Sequence, residues 1–243
     1  MLCHMNTAVI LAAGMGTRLR EAHADRPKGF VELGGKSIIE QSIARLEQSG
    51  IKDIVIVTGY AAEYYHKLAG RYAGLIRTVH NPDYADSGSM YSLFCARDVV
   101  DDGFLLLESD IVYESRALDV LIDHESPDAI LLSGPTNAGD EVYIEAPNGL
   151  LVNMSKDRAN LASVAGELVG ISKISPDLYR RMNHLARERF GKSLHYDYET
   201  DCLVAAAQSW EISCPVVKDL VWAEIDDPDH LHRAINDVLP HLT

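Results

Sequence analysis

The sequence predicts an α/β fold: a Rossmann-like, mainly parallel (mixed) sheet flanked by helices. In the first half of the chain, short apolar runs alternate with segments of helical periodicity. Strands that alternate with helices imply right-handed crossovers and parallel pairing. In the second half, a turn signal at residues 147–149 and further apolar runs add antiparallel strands. Hydrophobic residues make up 47% of the 243 residues, so the chain can bury a sizeable core.

The elements of the first half follow from apolar pattern and from start and stop signals. Thr7 to Ala12 is an apolar run that ends in small residues, which indicates a buried strand. Ser37 to Gly50 places apolar residues on one helical face, and Gly50 ends the pattern. The remaining elements are strands at Asp53 to Thr58, Leu75 to His80 and Phe104 to Leu107, and helices at Ala61 to Ala69 and Ser89 to Val99.

The second half of the chain lacks the regular alternation of strands and helices found in the first half. Its predicted strands are Ala129 to Ser133, Glu141 to Glu145, Leu150 to Asn153 and Leu220 to Ile225, the middle two forming a hairpin across Pro147-Asn148-Gly149. Its predicted helices are Pro176 to Arg189, Thr200 to Ser209 and a final one from Pro228 to Leu239. Because no linker, repeat or low-complexity stretch interrupts the chain, we predict a single domain over residues 1–243.

Charge and composition exclude several classes of function. The formal net charge is −14, which argues against a nucleic-acid partner, since phosphate backbones are held by Lys and Arg. The acidity is compatible with a nucleotide ligand, which needs only a few local cations. No apolar run reaches the length of a membrane span, and the start resembles no signal peptide, so we expect no membrane partner.

The cysteines indicate a reducing compartment. Cys3, Cys95, Cys202 and Cys214 are scattered through apolar segments and show no C-x-x-C spacing. Free thiols are the expected state, metal binding is disfavoured, and a cytoplasmic location follows from this interpretation.

A glycine-rich loop follows the first predicted strand. Gly14 and Gly16 let backbone N–H groups approach a polyphosphate closely, and Arg18 can bridge phosphate oxygens. Lys28, ten residues on, could meet the same phosphates as a point charge. The glycines alone would equally suit a plain strand–turn–helix.

Two familiar phosphate motifs fail here. The dinucleotide fingerprint needs a small residue where the chain has Leu19, and a P-loop ending at Gly35-Lys36-Ser37 needs glycine where the chain has Phe30. Ser37 and Glu40 are better interpreted as a helix capping box.

The whole stretch is more specific than its glycines. It reads Leu11-Ala12-Ala13-Gly14-Met15-Gly16-Thr17-Arg18, then Pro27-Lys28, then Gly35-Lys36-Ser37-Ile38-Ile39-Glu40. This resembles the opening of the sugar-phosphate-type nucleotidyltransferase superfamily. The resemblance implies a nucleotide-diphospho-sugar-transferase-like fold, with a nucleotide-binding half at about residues 6–115 and an acceptor-binding half at about 116–243. It also implies that residues 11–17 wrap the triphosphate while Arg18 and Lys28 hold its phosphates.

The middle of the chain indicates a branch of this superfamily. Asn81-Pro82-Asp83-Tyr84 is followed by Ser87-Gly88-Ser89-Met90-Tyr91-Ser92-Leu93. This resembles the cytidylyltransferases that act on 2-aminoethylphosphonate and phosphocholine, in which the segment borders the nucleobase and acceptor pocket. The resemblance implies CTP as donor and roles for Gly88, Ser89 and Tyr91. An exposed turn before a helix capped by Ser87 or Ser89 explains the same residues.

Carboxylates at two strand ends predict a magnesium site. Mg²⁺ is usually held by one or two carboxylates plus substrate oxygens. Asp110 follows one predicted strand and Asp226 follows another, and both match aspartates of the superfamily. Glu108 either shares the metal or shapes the loop. Alternatively, Asp226 and Asp227 only cap the helix that begins at Pro228.

The acceptor end is predicted from charge and aromatic character. Lys156 is a candidate for steering the acceptor's anionic group and counts with Arg18 and Lys28 as a catalytic candidate; a solvated surface lysine is the alternative. An ammonium group on the acceptor would favour acids and aromatic faces. A polar loop that leads into the helix at Thr200 is the alternative for the acids and tyrosines of residues 195–201. The acceptor-binding candidates are Tyr91, Glu167, Tyr198, Glu199, Asp201 and Trp222.

The resemblance therefore implies transfer of CMP from CTP to a small phosphonate, with 2-aminoethylphosphonate preferred and pyrophosphate released. Phosphocholine and a carboxylated phosphonate are the nearest alternative acceptors, and a sugar 1-phosphate is more distant. A catalytically silent nucleotide-binding regulator is the alternative outside enzymes. The expected partners are these small molecules, with a homodimer left open.

Overall fold

The computed structural model describes residues 5–19 and 26–242. In these residues thirteen strands are formed: β1 (Thr7–Ala12), β2 (Glu32–Leu33), β3 (Lys36–Ser37), β4 (Asp53–Thr58), β5 (Ile76–His80), β6 (Phe104–Glu108), β7 (Ile111–Tyr113), β8 (Ala129–Ser133), β9 (Tyr143–Glu145), β10 (Asn153–Ser155), β11 (Gly166–Ile174), β12 (Val216–Val217) and β13 (Trp222–Glu224). The α-helices of the same residues are α1 (Ile38–Gln48), α2 (Ala62–Arg71), α3 (Ser89–Cys95), α4 (Arg116–Ile122), α5 (Pro176–Phe190), α6 (Val204–Ala207) and α7 (Pro228–Arg233).

One mixed sheet runs through both halves of the chain. Its order is β10-β9-β11-β6-β1-β4-β5, with β8 beside β11 and β12 beside β8. Strands β5, β4, β1 and β6 are parallel, whereas β11 pairs antiparallel with β6, β8 and β9. The predicted α/β class and mixed sheet are confirmed. The carboxyl ends of β1 and β6 are adjacent, because Leu11 pairs with Glu108.

The central strands of the sheet are buried on both faces. Along β1, Val9 and Leu11 belong to one apolar cluster, while Ala8 and Ile10 belong to the other. Helices α3 and α5 cover the first cluster and α1 covers the second. Fully burying one such aliphatic side chain contributes about 1.5–3 kcal/mol, so these two layers fix the strand ends that carry the site. The predicted capping box is present: Ser37 accepts from the Glu40 N–H, and the Glu40 side chain reaches back.

The ends of most first-half elements lie within three residues of the predicted ones. The exception is the helix predicted from Ser89 to Val99: α3 ends at Cys95, and a 3₁₀ turn follows over Ala96–Asp98. The hairpin is confirmed, but its second strand was misplaced. A 3₁₀ turn at Pro147–Gly149 delays pairing, and β10 begins at Asn153 rather than Leu150.

Two predicted helices are broken in the structure. The one expected at Thr200 begins with a π-helical turn over Tyr198–Leu203, and the final one continues past α7 as a π turn over Ala234–Val238 and a 3₁₀ turn over Leu239–His241.

The prediction missed the longest strand, β11. Its apolar pattern is interrupted by Gly170, which adopts a left-handed φ of 81°, and by the buried polar residues Glu167, Ser172 and Lys173. Short β7 and α4 were missed as well. Among the described cysteines, Cys95, Cys202 and Cys214 are free, as predicted, and Cys3 lies outside the described residues. In the described part of the chain, no helix is long and apolar enough to cross a membrane.

Candidate active site

The glycine-rich loop lies at the carboxyl end of β1 and forms one wall of a cavity. We call this the first cavity; it is lined by Leu11, Ala12, Ala13, Gly14, Gly16, Lys28, Tyr65, Tyr84, Ser87, Gly88, Ser89, Ser92, Glu108, Ser109 and Asp110. Gly16 has φ 58°, and a Cβ there would lie 2.9 Å from Cγ of Lys28. The loop backbone therefore rests on the lysine stem, which only glycine permits. Of the predicted loop residues, Met15 and Thr17 are exposed and are not among those lining the cavity.

Three carboxylates converge beside this cavity. Strand β7 directly follows Asp110 and pairs antiparallel with β13, so that Glu224 lies opposite Ile111. The N–H of Ile225 also donates to the carbonyl of Asp110 at 2.9 Å. Oxygen atoms of Asp110, Glu224 and Asp226 consequently lie within 4.8 Å of one another. The two predicted aspartates are brought together, and Glu224 joins them; we call these three residues the carboxylate cluster.

Asp227 takes the capping role that was the alternative for both aspartates. Its side chain accepts from the N–H of His230 at 2.9 Å and begins α7. Asp226 belongs instead to the carboxylate cluster and is only 5% exposed.

The two predicted phosphate ligands contact this cluster. Lys28 Nζ donates to Asp110 Oδ2 at 2.8 Å and also to Asp226 Oδ1. Arg18 pairs with Asp226 Oδ2, and its other nitrogen lies 4.0 Å from Asp140 Oδ2. Burial alone would lower the pKa of Lys28, but the charge and hydrogen bond of Asp110 more than offset it and the pKa is raised. Burial and the charge of Asp110 raise the pKa of Glu224 to about 7.

A second cavity adjoins the first and shares Ser89 and Glu108 with it. The second cavity is lined by Ser89, Glu108, Ile111, Thr136, Ala138, Asp140, Glu141, Val142, Lys156, Glu167, Leu168, Val169, Gly170, Glu199, Trp222, Glu224 and Arg233. The predicted Lys156, Glu167, Glu199 and Trp222 are therefore brought together. Glu167 is already engaged, since it accepts from the N–H and hydroxyl of Thr136, both at 2.8 Å. The buried indole N–H of Trp222 has no hydrogen-bond partner among the described residues.

The boundary between the cavities is built from two distant segments. Asn81 is fully buried and its amide donates to the hydroxyls of Ser87 and Ser92, both at 3.0 Å. This holds the 81–89 loop against the sheet. The N–H groups of Gly88 and Met90 donate to the carbonyls of Leu194 and Tyr196. The expected side-chain cap by Ser87 or Ser89 is absent at the described start of α3: Gly88 is the N-cap, and Asp197 accepts from the Ser89 N–H instead.

Two glutamates face each other across this boundary. Glu199 accepts a hydrogen bond of 3.0 Å from the Ser89 hydroxyl. Burial raises the pKa of Glu199 to about 7, with a further contribution from Asp197. Burial and the charges of Glu199 and Asp110 raise the pKa of Glu108 well above its usual value. Tyr198 is buried beneath and hydrogen-bonds Glu108.

Three acceptor-binding candidates lie outside both cavities. The Tyr91 hydroxyl donates to Asp83 at 3.0 Å, and its ring packs edge-on against Phe190. Asp201 is exposed and accepts from the N–H of Asp197 at 3.0 Å, closing its own turn. Tyr198 is buried beneath Glu108 and is among neither lining set. Alternation of tyrosines and acids suggested one surface, but the π-helical turn rotates only Glu199 into the cavity.

Sequence reasoning missed several polar residues of the site. His230 is buried, its Nδ1 accepts from the Asp226 N–H at 3.4 Å, and its Nε2 donates to the Ala138 carbonyl at 3.2 Å. Asp140 and Arg233 line the second cavity. Glu224 stands two residues before Asp226, in an E-x-D pattern at the end of a predicted strand that could have indicated it. No local signal marks His230, Asp140 or Arg233, because the fold alone brings them there.

Comparison with known proteins identifies the family of the chain. The model of the MobA-like NTP transferase domain matches residues 8–195, which include the glycine-rich loop, Lys28 and Asp110. The chain belongs to this family. The predicted resemblance to nucleotidyltransferases is thereby confirmed, and members of the family generally use a divalent metal. The hard oxygen donors of the carboxylate cluster fit such an ion.

Two curated relatives share substantial identity with this family member. The CMP-5'-(3-aminopropyl)phosphonate synthase of Streptomyces rubellomurinus is 33% identical, over 93% of this chain and 38% of that protein. The choline-phosphate cytidylyltransferase of Streptococcus pneumoniae is 35% identical, over 44% of this chain and 46% of that protein. In both comparisons the region matched by this chain covers less than half of the relative's own length.

Solved structures confirm the fold. The inositol-1-phosphate CTP transferase from T. maritima superimposes with a TM-score of 0.83 over 100% of both chains, at 18% identity. The nucleotide-diphospho-sugar-transferase-like fold predicted from the sequence is therefore correct.

Proposed function

We propose that this protein is a cytidylyltransferase that transfers CMP from CTP to a small aminoalkylphosphonate and releases pyrophosphate. One observation carries the proposal: two cavities meet at Ser89 and Glu108, directly beside the carboxylate cluster. A donor in one cavity and an acceptor in the other would meet where charge on the transferred phosphoryl group is best neutralised. The names of the two relatives, which concern a phosphonate and choline phosphate, support this class of acceptor.

In this proposal the first cavity binds CTP. Backbone N–H groups of the glycine-rich loop face the triphosphate, and Arg18 and Lys28 hold its charge. Asp110, Glu224 and Asp226 would hold Mg²⁺. When bound, the ion neutralises charge on the attacked phosphate and on the leaving pyrophosphate.

The second cavity would bind the acceptor. Lys156 and Arg233 supply positive charge for the phosphonate, and the unpartnered N–H of Trp222 offers a further donor. Glu199 supplies negative charge for the ammonium group of the acceptor. An acceptor with opposite charges at its two ends thus matches the lining better than a dianionic, carboxylated phosphonate.

The reaction then needs alignment rather than a general base. An ionised phosphonate oxygen forms a new bond to the α-phosphorus of CTP, and the bond from that phosphorus to the α,β-bridging oxygen breaks. Pyrophosphate leaves with the electron pair. The chain's task is to hold the acceptor oxygen in line with the bond that breaks and to exclude competing water.

We place 2-aminoethylphosphonate first among acceptors and its longer homologue 3-aminopropylphosphonate beside it, since the named activity of one relative concerns the latter. Phosphocholine is the second candidate, because the Trp222 ring lines the second cavity and aromatic faces attract quaternary ammonium groups. A cytoplasmic location remains a prediction, and a homodimer remains open.

A pyrophosphate-release screen tests the proposal. The protein is incubated with Mg²⁺ and CTP, UTP, ATP or GTP, and with each of the two aminophosphonates, phosphocholine, phosphonoformate and glucose 1-phosphate. We expect CTP-dependent release with an aminophosphonate and formation of its CMP adduct by mass spectrometry. Preference for phosphonoformate or glucose 1-phosphate would refute the acceptor class. Binding of CTP without turnover of any acceptor would favour a silent regulator.

A matched pair of variants separates the lysine roles. Lys156→Met removes a charge from the second cavity, whereas Lys192→Met removes an exposed lysine outside both cavities. Only Lys156→Met should raise the KM for the acceptor, by about tenfold for one lost charge-assisted contact.

A further inference from the structure

Two cationic side chains lie on the carboxylate cluster. Lys28 Nζ bridges Asp110 Oδ2, at 2.8 Å, and Asp226 Oδ1. Arg18 pairs with the second oxygen of Asp226. Both oxygens of Asp226 and one of Asp110 therefore already carry hydrogen bonds from the protein's own cations. A divalent cation would compete with these hydrogen bonds, because it would draw on carboxylate oxygens of the same two aspartates, together with Glu224.

The lysine contacts are sheltered from water. The exposed side-chain fractions are 19% for Lys28, 13% for Asp110 and 7% for Asp226, against 57% for Arg18. Charges that are partly withdrawn from solvent interact several times more strongly than exposed pairs. Lys28 is therefore the main counter-ion of the cluster, and Arg18 is the more easily withdrawn one.

The same lysine also faces the glycine-rich loop. Its stem packs under Gly16, and the residue lines the first cavity together with Gly14 and Asp110. Rotation about the last side-chain bonds would move the ammonium from the carboxylates toward a phosphate held by the loop amides. Lys28 therefore has two alternative anionic partners, the carboxylates and a phosphate, and in this structure it contacts the carboxylates.

We propose that Lys28, assisted by Arg18, is a resident counter-ion of the carboxylate cluster that exchanges partners when nucleotide binds. The triphosphate takes the two cations, and the carboxylates are thereby released to the divalent metal. Metal alone and nucleotide alone each compete with an internal ion pair, so each binds weakly and each favours the other. This inference rests on the proposed function, since it takes the triphosphate and the metal as the ligands of the two partners.

Metal binding without nucleotide tests the exchange directly. Free Mn²⁺ is counted by electron paramagnetic resonance during titration of the nucleotide-free protein. Lys28→Met keeps the stem but removes the competing charge, so we expect it to bind Mn²⁺ at least about tenfold more tightly than the wild type. Lys28→Arg retains the charge and should stay close to the wild type. Lys67→Met, which removes an exposed lysine of α2, is the control.

Nucleotide binding without metal gives the reciprocal test. In EDTA, Asp110→Asn removes a carboxylate that holds Lys28 and repels phosphate. We expect this variant to bind CTP about tenfold more tightly than the wild type, measured by calorimetry. A lysine that serves only as a phosphate ligand gives no gain of metal affinity in Lys28→Met. A purely structural ion pair weakens both ligands in both variants.

The two binding experiments distinguish a failure of the partner exchange from a failure of the proposed function. Unchanged or weaker Mn²⁺ binding by Lys28→Met, or unchanged or weaker CTP binding by Asp110→Asn, overturns the exchange and leaves the proposed function standing. A wild-type protein that binds neither CTP with Mg²⁺ nor Mn²⁺ overturns both. Gains in both variants, with Lys67→Met unaltered, establish the exchange.

Discussion

The hydroxyl of Ser89 donates a hydrogen bond of 3.0 Å to Glu199, although the two residues are 110 positions apart in the chain. The same hydroxyl accepts from the N–H of Tyr198 at 3.0 Å. Ser89 lies on the boundary shared by both cavities, and Glu199 lines the second. One serine therefore orients the carboxylate that we assign to the acceptor's ammonium group.

Replacing that carboxylate should affect the acceptor and not the nucleotide. Glu199→Gln keeps the shape and the serine contact but removes the charge that faces the ammonium. We expect the KM for 2-aminoethylphosphonate to rise about tenfold to a hundredfold, as for a lost hydrogen bond to a charged group, while the KM for CTP changes little. Steady-state kinetics with each substrate varied in turn measure this. Glu188→Gln, at an exposed position of α5, is the control; an equal rise in both KM values would contradict the assignment.

The acceptor KM should also depend on pH through Glu199. Burial raises its pKa to about 7, so the carboxyl is protonated and neutral below that pH and ionised above it. Because the ionised form attracts an ammonium group, kcat/KM for the acceptor should rise from about pH 6 to about pH 8. The groups that face Glu199 are Glu108, Lys156 and Asp197, and they shift the midpoint without reversing the sign.

The ratio of kcat/KM for the acceptor in the wild type to that in Glu199→Gln isolates the contribution of this residue, because ionisation of the phosphonate affects both proteins equally. The ratio should increase with pH and level off above about pH 8. A ratio that stays constant across the range would show that Glu199 does not titrate there.

The carboxylate cluster should be needed for turnover and for the metal. Asp110→Asn removes the negative charge of one of the three carboxylates beside the first cavity. We expect a loss of about a thousandfold in kcat/KM at limiting Mg²⁺, which corresponds to several kcal/mol of lost charge stabilisation. Activity of the wild type should vanish with EDTA and return with Mg²⁺. Asp119→Asn, at an exposed position of α4, serves as control; full activity of Asp110→Asn would contradict the metal assignment.

The parts of the fold that the sequence predicts are those with local signals. Strand β1 and strand β4 are uninterrupted apolar runs, and their observed bounds equal the predicted ones. Helix α1 has its capping box and an apolar face. In each case the neighbouring residues alone determine the element, so no knowledge of distant contacts is needed.

Strand β11 shows where local signals fail. It lies between β6, β8 and β9, and these three partners determine its extended backbone. Its left-handed Gly170 makes room for Glu108, whose Cγ would be 3.1 Å from an added Cβ. A residue that is chosen for contact with a distant side chain interrupts the local pattern, so the strand cannot be recognised from its own sequence.

The candidate site divides in the same way. The loop at Gly14 and Gly16, with Lys28 and Asp110, could be identified because each stands in a motif or at a predicted strand end. That Asp110 and Asp226 meet was predicted through the superfamily resemblance, whereas the pairing of β7 with β13 that brings them and Glu224 together was not, since β7 has three residues and no turn signal connects it to β13.

His230 should act on the metal through Asp226. Its Nδ1 accepts from the Asp226 N–H, and its Nε2 fastens the Ala138 carbonyl of the second cavity. Residues that hold a metal ligand in place typically contribute about tenfold to a hundredfold in metal affinity. We therefore expect His230→Leu to raise the Mg²⁺ concentration for half-maximal activity by about tenfold.

Conservative replacement distinguishes this role from general structural support. His230→Asn keeps an acceptor near the Nδ1 position and should retain most of the Mg²⁺ affinity, whereas His232→Leu, at an exposed position of α7, should change nothing. Equal losses of Mg²⁺ affinity in the Leu and Asn variants of His230 would contradict positioning by the Nδ1 contact.

The close contact between the backbones of Gly88 and Tyr196 should affect both the free energy of unfolding and the binding of the acceptor. A Cβ at Gly88 would lie 2.5 Å from the carbonyl oxygen and 2.7 Å from the nitrogen of Tyr196, and these backbone atoms cannot rotate away. Gly88→Ala must therefore separate the start of α3 from the segment that carries Glu199, at a cost of about 1–3 kcal/mol in the free energy of unfolding. Gly70→Ala, inside α2 with nothing within 4 Å of the added atom, should instead stabilise by about 0.5–1 kcal/mol. Urea unfolding of both variants measures the opposite signs. Because the separation moves Glu199 away from Ser89, Gly88→Ala should also raise the acceptor KM, and a variant that is destabilised without any change in that KM would show that the two segments can part without disturbing the second cavity.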